Sequence, residues 1–446
     1  MSDRFDRLLA DAILGIDTLW GGDVTTPTGA ARVVADTWFS DEPLPPAFTV
    51  PAAARLRATG GVAASVPDRP AIAAYLDAVD VKGAIAGLRD ASGAQPGPRR
   101  DYGLGLAECL DAAWDLAMEV LGEGPPVPYE RFVRAACGCE PAPSNPARTR
   151  QLLAELLARA GHNSGGAGQL QGAVDEWRRQ LVVPARSLRL LSRAFVARFD
   201  HLAEENLVPY LPQFLATVPR CNITFQPVDG LPYTSSCNYV GRARKADGSP
   251  EYEATYELGS NLAISVPEFA QLVCHAVVPG HVTRLAYLQG LYVRGGLGFE
   301  ATVTAMCTRG TTLAEGIAVN SLLIAHGVTE VEDLPEEDLQ IAMLLAMLVQ
   351  EGKSRASYLT WKEGAPQREV AAVVRNEYLM SEERADLLSR IWVRHPLVGR
   401  MYVPCFRAGM EVVADLRRRF PPEKVLPVLY GCSGLMDITT VGAALR

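Results

Sequence analysis

The stretch that decides the fold is Ser265-Val-Pro-Glu-Phe-Ala-Gln-Leu-Val-Cys-His-Ala-Val-Val-Pro-Gly-His281. Ser265 and Glu268 have capping-box spacing, and Pro267 falls in the first turn, where a missing N–H costs little, so a helix starts here. The helical pattern runs over about 266–289. Pro279 interrupts it, removing the hydrogen bond to the His275 carbonyl, and Gly280 lets the backbone turn. Two of the six histidines, His275 and His281, flank this interruption.

Outward from this helix the pattern divides. Upstream, Cys221–Val228, Ser236–Arg242 and Glu251–Leu258 are rich in β-branched and aromatic residues, with Ala246-Asp-Gly-Ser249 as a hairpin turn between the last two. In the third segment Tyr252, Ala254, Tyr256 and Leu258 alternate with Glu251, Glu253, Thr255 and Glu257, which predicts a half-exposed strand. Downstream, helical patterns recur at about 312–325, 336–350, 367–378, 381–393 and 406–419. Before residue 207 the chain alternates helical stretches with Pro/Gly breaks, the clearest helices covering about 104–121, 146–160 and 183–205. The expected fold is mainly α with one small antiparallel β-sheet ahead of the histidine helix. The chain divides into a helical region 1–206 and a second region 207–446, with strands in 221–258, helices in 266–326 and a helical block in 336–446, packed as one unit.

Composition narrows the function. The 446 residues are 48% hydrophobic and 21% charged, which excludes wholesale disorder. A net charge of −8 argues against nucleic-acid or anionic-membrane partners. The first 20 residues read as an amphipathic helix and not a secretion signal, and the longest apolar run, Ile341–Val349, is too short to span a membrane. Nine cysteines at no framework spacing suit free thiols in a reducing compartment. A soluble, globular, cytoplasmic protein is therefore expected, with its oligomeric state open. No GxSxG elbow, dinucleotide fingerprint or phosphate loop is present; the loop His162-Asn-Ser-Gly-Gly166 follows no clear strand.

His275-Ala-Val-Val-Pro-Gly-His281, followed by Leu313-Ala-Glu-Gly-Ile-Ala318, resembles a large bacterial domain-of-unknown-function family of zinc metallopeptidases that carries HExxPGH and a downstream EGxA. The likeness covers roughly residues 207–446 in order of elements. It implies a helical metallopeptidase-like architecture, with His275, His281 and Glu315 holding a divalent metal, zinc above all. Two imidazoles and a carboxylate suit zinc and leave a position open. A straight helix would separate residues six apart by about 9 Å along its axis, whereas donors sharing one zinc lie about 3–3.5 Å apart. The Pro-Gly interruption makes the spacing workable.

One position departs from the family. Where it has the glutamate that takes a proton from zinc-bound water, this chain has Ala276. The leading expectation is a metal-dependent enzyme on a small amino-acid-like or peptidic carboxylate, its scaffold repurposed for Lewis-acid lyase, decarboxylase or rearrangement chemistry. A zinc-dependent amide or peptide hydrolase with a relocated base is the first alternative, for which Glu315, Glu300, His395 and Tyr402 are candidates. A non-catalytic binding protein is the second. The block Arg394-His-Pro-Leu-Val-Gly-Arg-Met-Tyr-Val-Pro-Cys-Phe-Arg-Ala-Gly409 lies where the family shows a PxQxxxYxxG-like run, with Gly409 as its clear survivor. Its donors make His395 and Tyr402 candidate catalytic residues, and Arg400 and Arg407 candidate ligands for an anionic substrate group. The competing structural readings are core histidines at 275 and 281, an N-terminal helix cap at Glu315 (from the Thr312–Glu315 spacing), and a core thiol at Cys274.

Overall fold

A computed structural model describes residues 3–162, 169–214, 223–231, 235–260 and 264–446. Helix accounts for 62% of it, with one three-stranded sheet. The loop at His162 runs largely outside the described residues, as does the start of the first strand at Cys221.

The amino-terminal helix Arg4–Leu19 is capped by the Asp3 side chain and buries Phe5, Leu9, Ile13 and Ile16 completely. It packs against Val81–Gly93 and Gly97–Leu121. A single apolar core runs from Phe5 to Leu445, so the two sequence regions share their interior. A smaller cluster around Val370, Val374 and Met380 closes the carboxy-terminal block. Helix Gln169–Gln180 has no counterpart in the sequence reading, and the next helix spans Leu188–Asn206, later than expected.

The sheet corrects two expectations. Strands β1 (Ile223–Val228), β2 (Ser235–Tyr239) and β3 (Ala254–Gly259) lie in the order β1-β3-β2. β2 and β3 are antiparallel, but β1 pairs parallel to β3, so the sheet is mixed and not antiparallel. β3 is also not half-exposed: as the central strand it buries Thr255 and Glu257 along with Tyr256 and Leu258. The polar face is covered by the segment at 27–29, where the Thr255 hydroxyl donates to the Pro27 carbonyl and Gly29 N–H donates to Glu257 at 2.9 Å. Those bonds replace the water that an alternating strand ordinarily meets.

Two helices approach backbone to backbone at the centre. A Cβ on Gly409, in helix Cys405–Arg419, would lie 2.0 Å from the Thr312 carbonyl oxygen, and one on Gly316, in helix Arg309–Val319, 2.3 Å from that of Gly409. Only glycine permits this contact. The glycine after Glu315 and the surviving glycine of the terminal run are thus two halves of one packing joint.

Candidate metal centre

The helix that carries His275 spans Val266–Ala276 and is anchored at its start. Ser265 and Glu268 form the reciprocal capping box that the sequence predicts. Glu268 does more than cap. Its carboxylate takes a forked pair from Arg178, with Nε and Nη2 at 3.1 and 3.0 Å from Oε1, and the Ser265 hydroxyl at 2.9 Å. Arg178 also donates to the carbonyl of Leu379, a buried leucine held at φ 57. Arg384 Nη1 stands 3.7 Å from Glu268.

The sequence reading takes 266–289 as one interrupted helix; the structure makes two, the second being His281–Val293. Gly280 N–H donates to the Cys274 carbonyl at 3.0 Å, and a Cβ on Gly280 would lie 1.8 Å from the His275 carbonyl oxygen. The chain folds back so tightly that glycine alone fits. The Tyr430 hydroxyl donates to the Pro279 carbonyl at 2.6 Å and fixes the turn from outside. His281 therefore opens the second helix facing His275, with ring centroids 4.9 Å apart and nearly perpendicular.

Glu315 joins them from helix Arg309–Val319. Its Oε2 lies 3.5 Å from Nε2 of His275 and 3.5 Å from Nε2 of His281, and one donor atom from each residue falls within 4.8 Å of the others. Thr308 caps this helix, while the Thr312 hydroxyl donates to the Ala136 carbonyl, so Glu315 is not an N-terminal cap residue. The Tyr402 hydroxyl donates to Glu315 Oε1 at 2.7 Å. Oε2 is buried with no hydrogen-bond partner.

The electrostatics suit a cation. Burial, then the neighbouring His281, pushes the His275 imidazole down to about 3, so the ring is neutral and offers a lone pair. Burial alone would raise the Glu315 carboxyl, but the histidines and the Tyr402 hydroxyl outweigh it and hold it well below the usual carboxylate range. Burial and the Glu315 charge raise the Tyr402 phenol, which stays a donor. An orphaned carboxylate oxygen at 3.5 Å from two imidazole nitrogens is close to the separation of donors about 2.1 Å from one zinc. The residues fit the group.

The cluster opens on a cavity of about 420 Å³, which Ala276, Asp36, Lys353, Arg384 and His395 also line. That volume suits a small molecule or a short peptide. His395 reaches the wall, but its Nδ1 accepts the Val398 N–H at 3.2 Å and burial holds it neutral, down to about 4. Arg400 and Arg407 are not brought there. Arg400 pairs with Glu119 at 2.7 Å and stacks on Trp361, while Arg407 bonds Glu411 and the Ala142 carbonyl. Glu300 pairs with Arg99 at 3.0 Å, away from the cavity. Cys274 is a fully buried core residue outside the cluster.

Asp36 and Lys353 are the residues the sequence reading passes over. Asp36 lies in an extended stretch that joins the segment at 304–306, where the Thr304 hydroxyl donates to it at 3.4 Å; burial raises its carboxyl despite the nearby Arg32. No motif marks it, because it stands some 240 residues before His275. Lys353 carries one faint signal, its rarity as a lysine among arginines.

If a metal is held by this cluster, Tyr402 would orient its carboxylate, so Tyr402→Phe is expected to weaken metal binding about 10- to 100-fold without unfolding the protein. Competition with a calibrated zinc chelator measures it; unchanged affinity would show that the Glu315 contact is incidental.

No family model and no curated protein matches the chain. Several solved chains match this one, among them two bacterial proteins. One is a "putative lipoprotein" from Colwellia psychrerythraea, at 12% identity and TM-score 0.53, covering 81% of this chain and 66% of that one. The other is a "putative lipoprotein of unknown function" from Shewanella oneidensis, at 12% identity and TM-score 0.49, covering 88% of this chain and 78% of that one. At such identity the first likeness is one of fold alone. No helix among the described residues is long and apolar enough to cross a membrane.

Proposed function

We propose that this chain is a metal-dependent enzyme acting on a small amino-acid-like or peptidic carboxylate, with His275, His281 and Glu315 holding a divalent ion, zinc in the first instance. One observation carries the reading: the buried, unpartnered Oε2 of Glu315 lies 3.5 Å from each histidine Nε2. A metal bound there would supply Lewis-acid polarisation of a carbonyl. The chain's own residues set the rest. His275 stays neutral, Tyr402 keeps Glu315 oriented through Oε1, and the Ala276 methyl leaves space where the family has a proton acceptor. Alanine takes no proton, which favours elimination, decarboxylation or rearrangement over glutamate-assisted hydrolysis.

A second reading, an amide or peptide hydrolase with a relocated base, has one observation in its favour. Asp36 places a carboxylate on the same cavity wall, in electrostatic reach of His281 and Glu315. Of the four candidate bases named from the sequence, Glu315 and Tyr402 are engaged with each other, Glu300 with Arg99, and His395 with the Val398 N–H.

Elemental analysis of protein prepared without chelator is expected to give about one zinc or similar ion per chain. His275→Ala and His281→Ala should fold, by circular dichroism and thermal melting, and lose that ion. Unchanged metal content in both variants would move the site elsewhere.

A further inference from the structure

Of the 43 basic residues only five are lysine, at 82, 245, 353, 362 and 424. Lys353, on helix Glu337–Trp361, lines the same cavity as the metal cluster. Its Nζ stands 3.3 Å from the ring centroid of Phe406 and 5.5 Å from that of Trp392. Ring faces attract an ammonium but do not neutralise it. Among the described residues no carboxylate forms an ion pair with it. A second cation, Arg384, shares the cavity. The carboxylate nearest to it, Glu268, is already forked by Arg178, and Arg384 Nε is buried without a hydrogen-bond partner. Burial draws the Lys353 amine down to about 7 against the pull of Glu315, and the Arg384 charge adds to the fall. Two cations that repel one another in a low-dielectric hollow are stabilised together by an anion.

We propose that Lys353, assisted by Arg384, receives the carboxylate of the substrate inside the cavity that the metal cluster shares. The inference deepens the enzyme reading above and rests on it for the word substrate; the anion site itself needs no metal. It replaces Arg400 and Arg407, whose guanidinium groups are engaged elsewhere, as the anion-recognising pair. Lysine presents a compact point charge on a flexible stem beside the two rings.

The test is calorimetric binding to the full chain, zinc-loaded and again after chelator treatment, with three probes: N-acetyl-L-alanine, its carboxamide and inorganic phosphate. The acid is expected to bind and the carboxamide to bind at least about tenfold more weakly. Lys353→Met should weaken the acid roughly 10- to 100-fold, and Lys353→Arg should recover part of the loss, with zinc content at the parental level in both. Equal binding of acid and carboxamide, an unaffected Lys353→Met protein, or no binding of any probe would each overturn the proposal. Phosphate binding more tightly than the acid would overturn the carboxylate assignment. Absence of zinc from the parent with acid binding intact would sink the metal reading and leave the anion site standing.

Discussion

Glu268→Ala is expected to lower the stability of the fold by about 3–5 kcal/mol, the cost of stranding a buried charge. The residue is 6% exposed, and its partner Arg178 9%. Removing the carboxylate leaves Arg178 uncompensated, takes from Arg384 its nearest anion and deletes half of the Ser265 capping box. Equilibrium urea unfolding measures the loss; a change below about 1 kcal/mol would mean that water or repacking satisfies Arg178. Glu268→Gln separates the contributions, since the amide retains the cap and removes the charge. The pH dependence has a definite sign. Burial would raise the Glu268 carboxyl, but Arg178 and Arg384 outweigh it and hold the folded-state value at about 2, below the ordinary 4.5. A group depressed on folding contributes stability that is complete above its unfolded value and is lost on acidification. This contribution should therefore be flat above about pH 5 and disappear between about 4.5 and 2, and the Gln variant should lack that slope.

That anchor matters for function because it lies at the opposite end of the helix from His275. How much of the arrangement can be read from the sequence follows from how local each signal is. The capping box at Ser265 and Glu268, the glycine that permits the reversal at 280 and the histidines on either side of it all act within a few residues. Each appears in the structure as the spacing predicts. The same spacing logic misplaces Glu315 as a cap, because Thr308 takes that role one turn earlier.

What the sequence leaves illegible depends on partners far away in the chain. Arg178 belongs to a helix whose Leu170, Ala173, Val174 and Trp177 fall at helical spacing, but its ionic partner Glu268 stands 90 residues further on. The burial of Glu257 depends on the segment at 27–29, 228 residues upstream, and nothing local to Ile223–Val228 says that it pairs parallel to β3. A run of donors such as Arg394 to Arg407 reads as a pocket, yet local density cannot say that Glu119, 281 residues away, will claim Arg400, although the i,i+4 pair of Arg407 with Glu411 is local. Lys353 and Asp36 reach the cavity only through tertiary packing.

Zinc-loaded Ala276→Glu is expected to cleave a simple dipeptide such as Ala-Ala about 10²- to 10⁴-fold faster than the parent, the usual contribution of a general base. Ala276 is 2% exposed yet lines the cavity beside His275, so a glutamate there would direct its carboxylate into space that the methyl leaves open. The substitution leaves His275, His281 and Glu315 untouched, and metal content should stay at the parental level. Two costs accompany the gain. Glutamate adds bulk to the cavity, and its negative charge raises the energy of an anionic substrate nearby. Under the repurposed-chemistry reading, binding of N-acetyl-L-alanine should therefore weaken in the same variant that gains hydrolysis. The relocated-base reading makes the opposite forecast. The parent should then already cleave the dipeptide, Asp36→Asn should abolish that cleavage with zinc retained, and Ala276→Glu should add little. Efficient cleavage by the unmodified protein would show that the missing glutamate was never needed, and would pass the base to Asp36, the cavity carboxylate outside both the His275–His281–Glu315 cluster and the Arg178 fork.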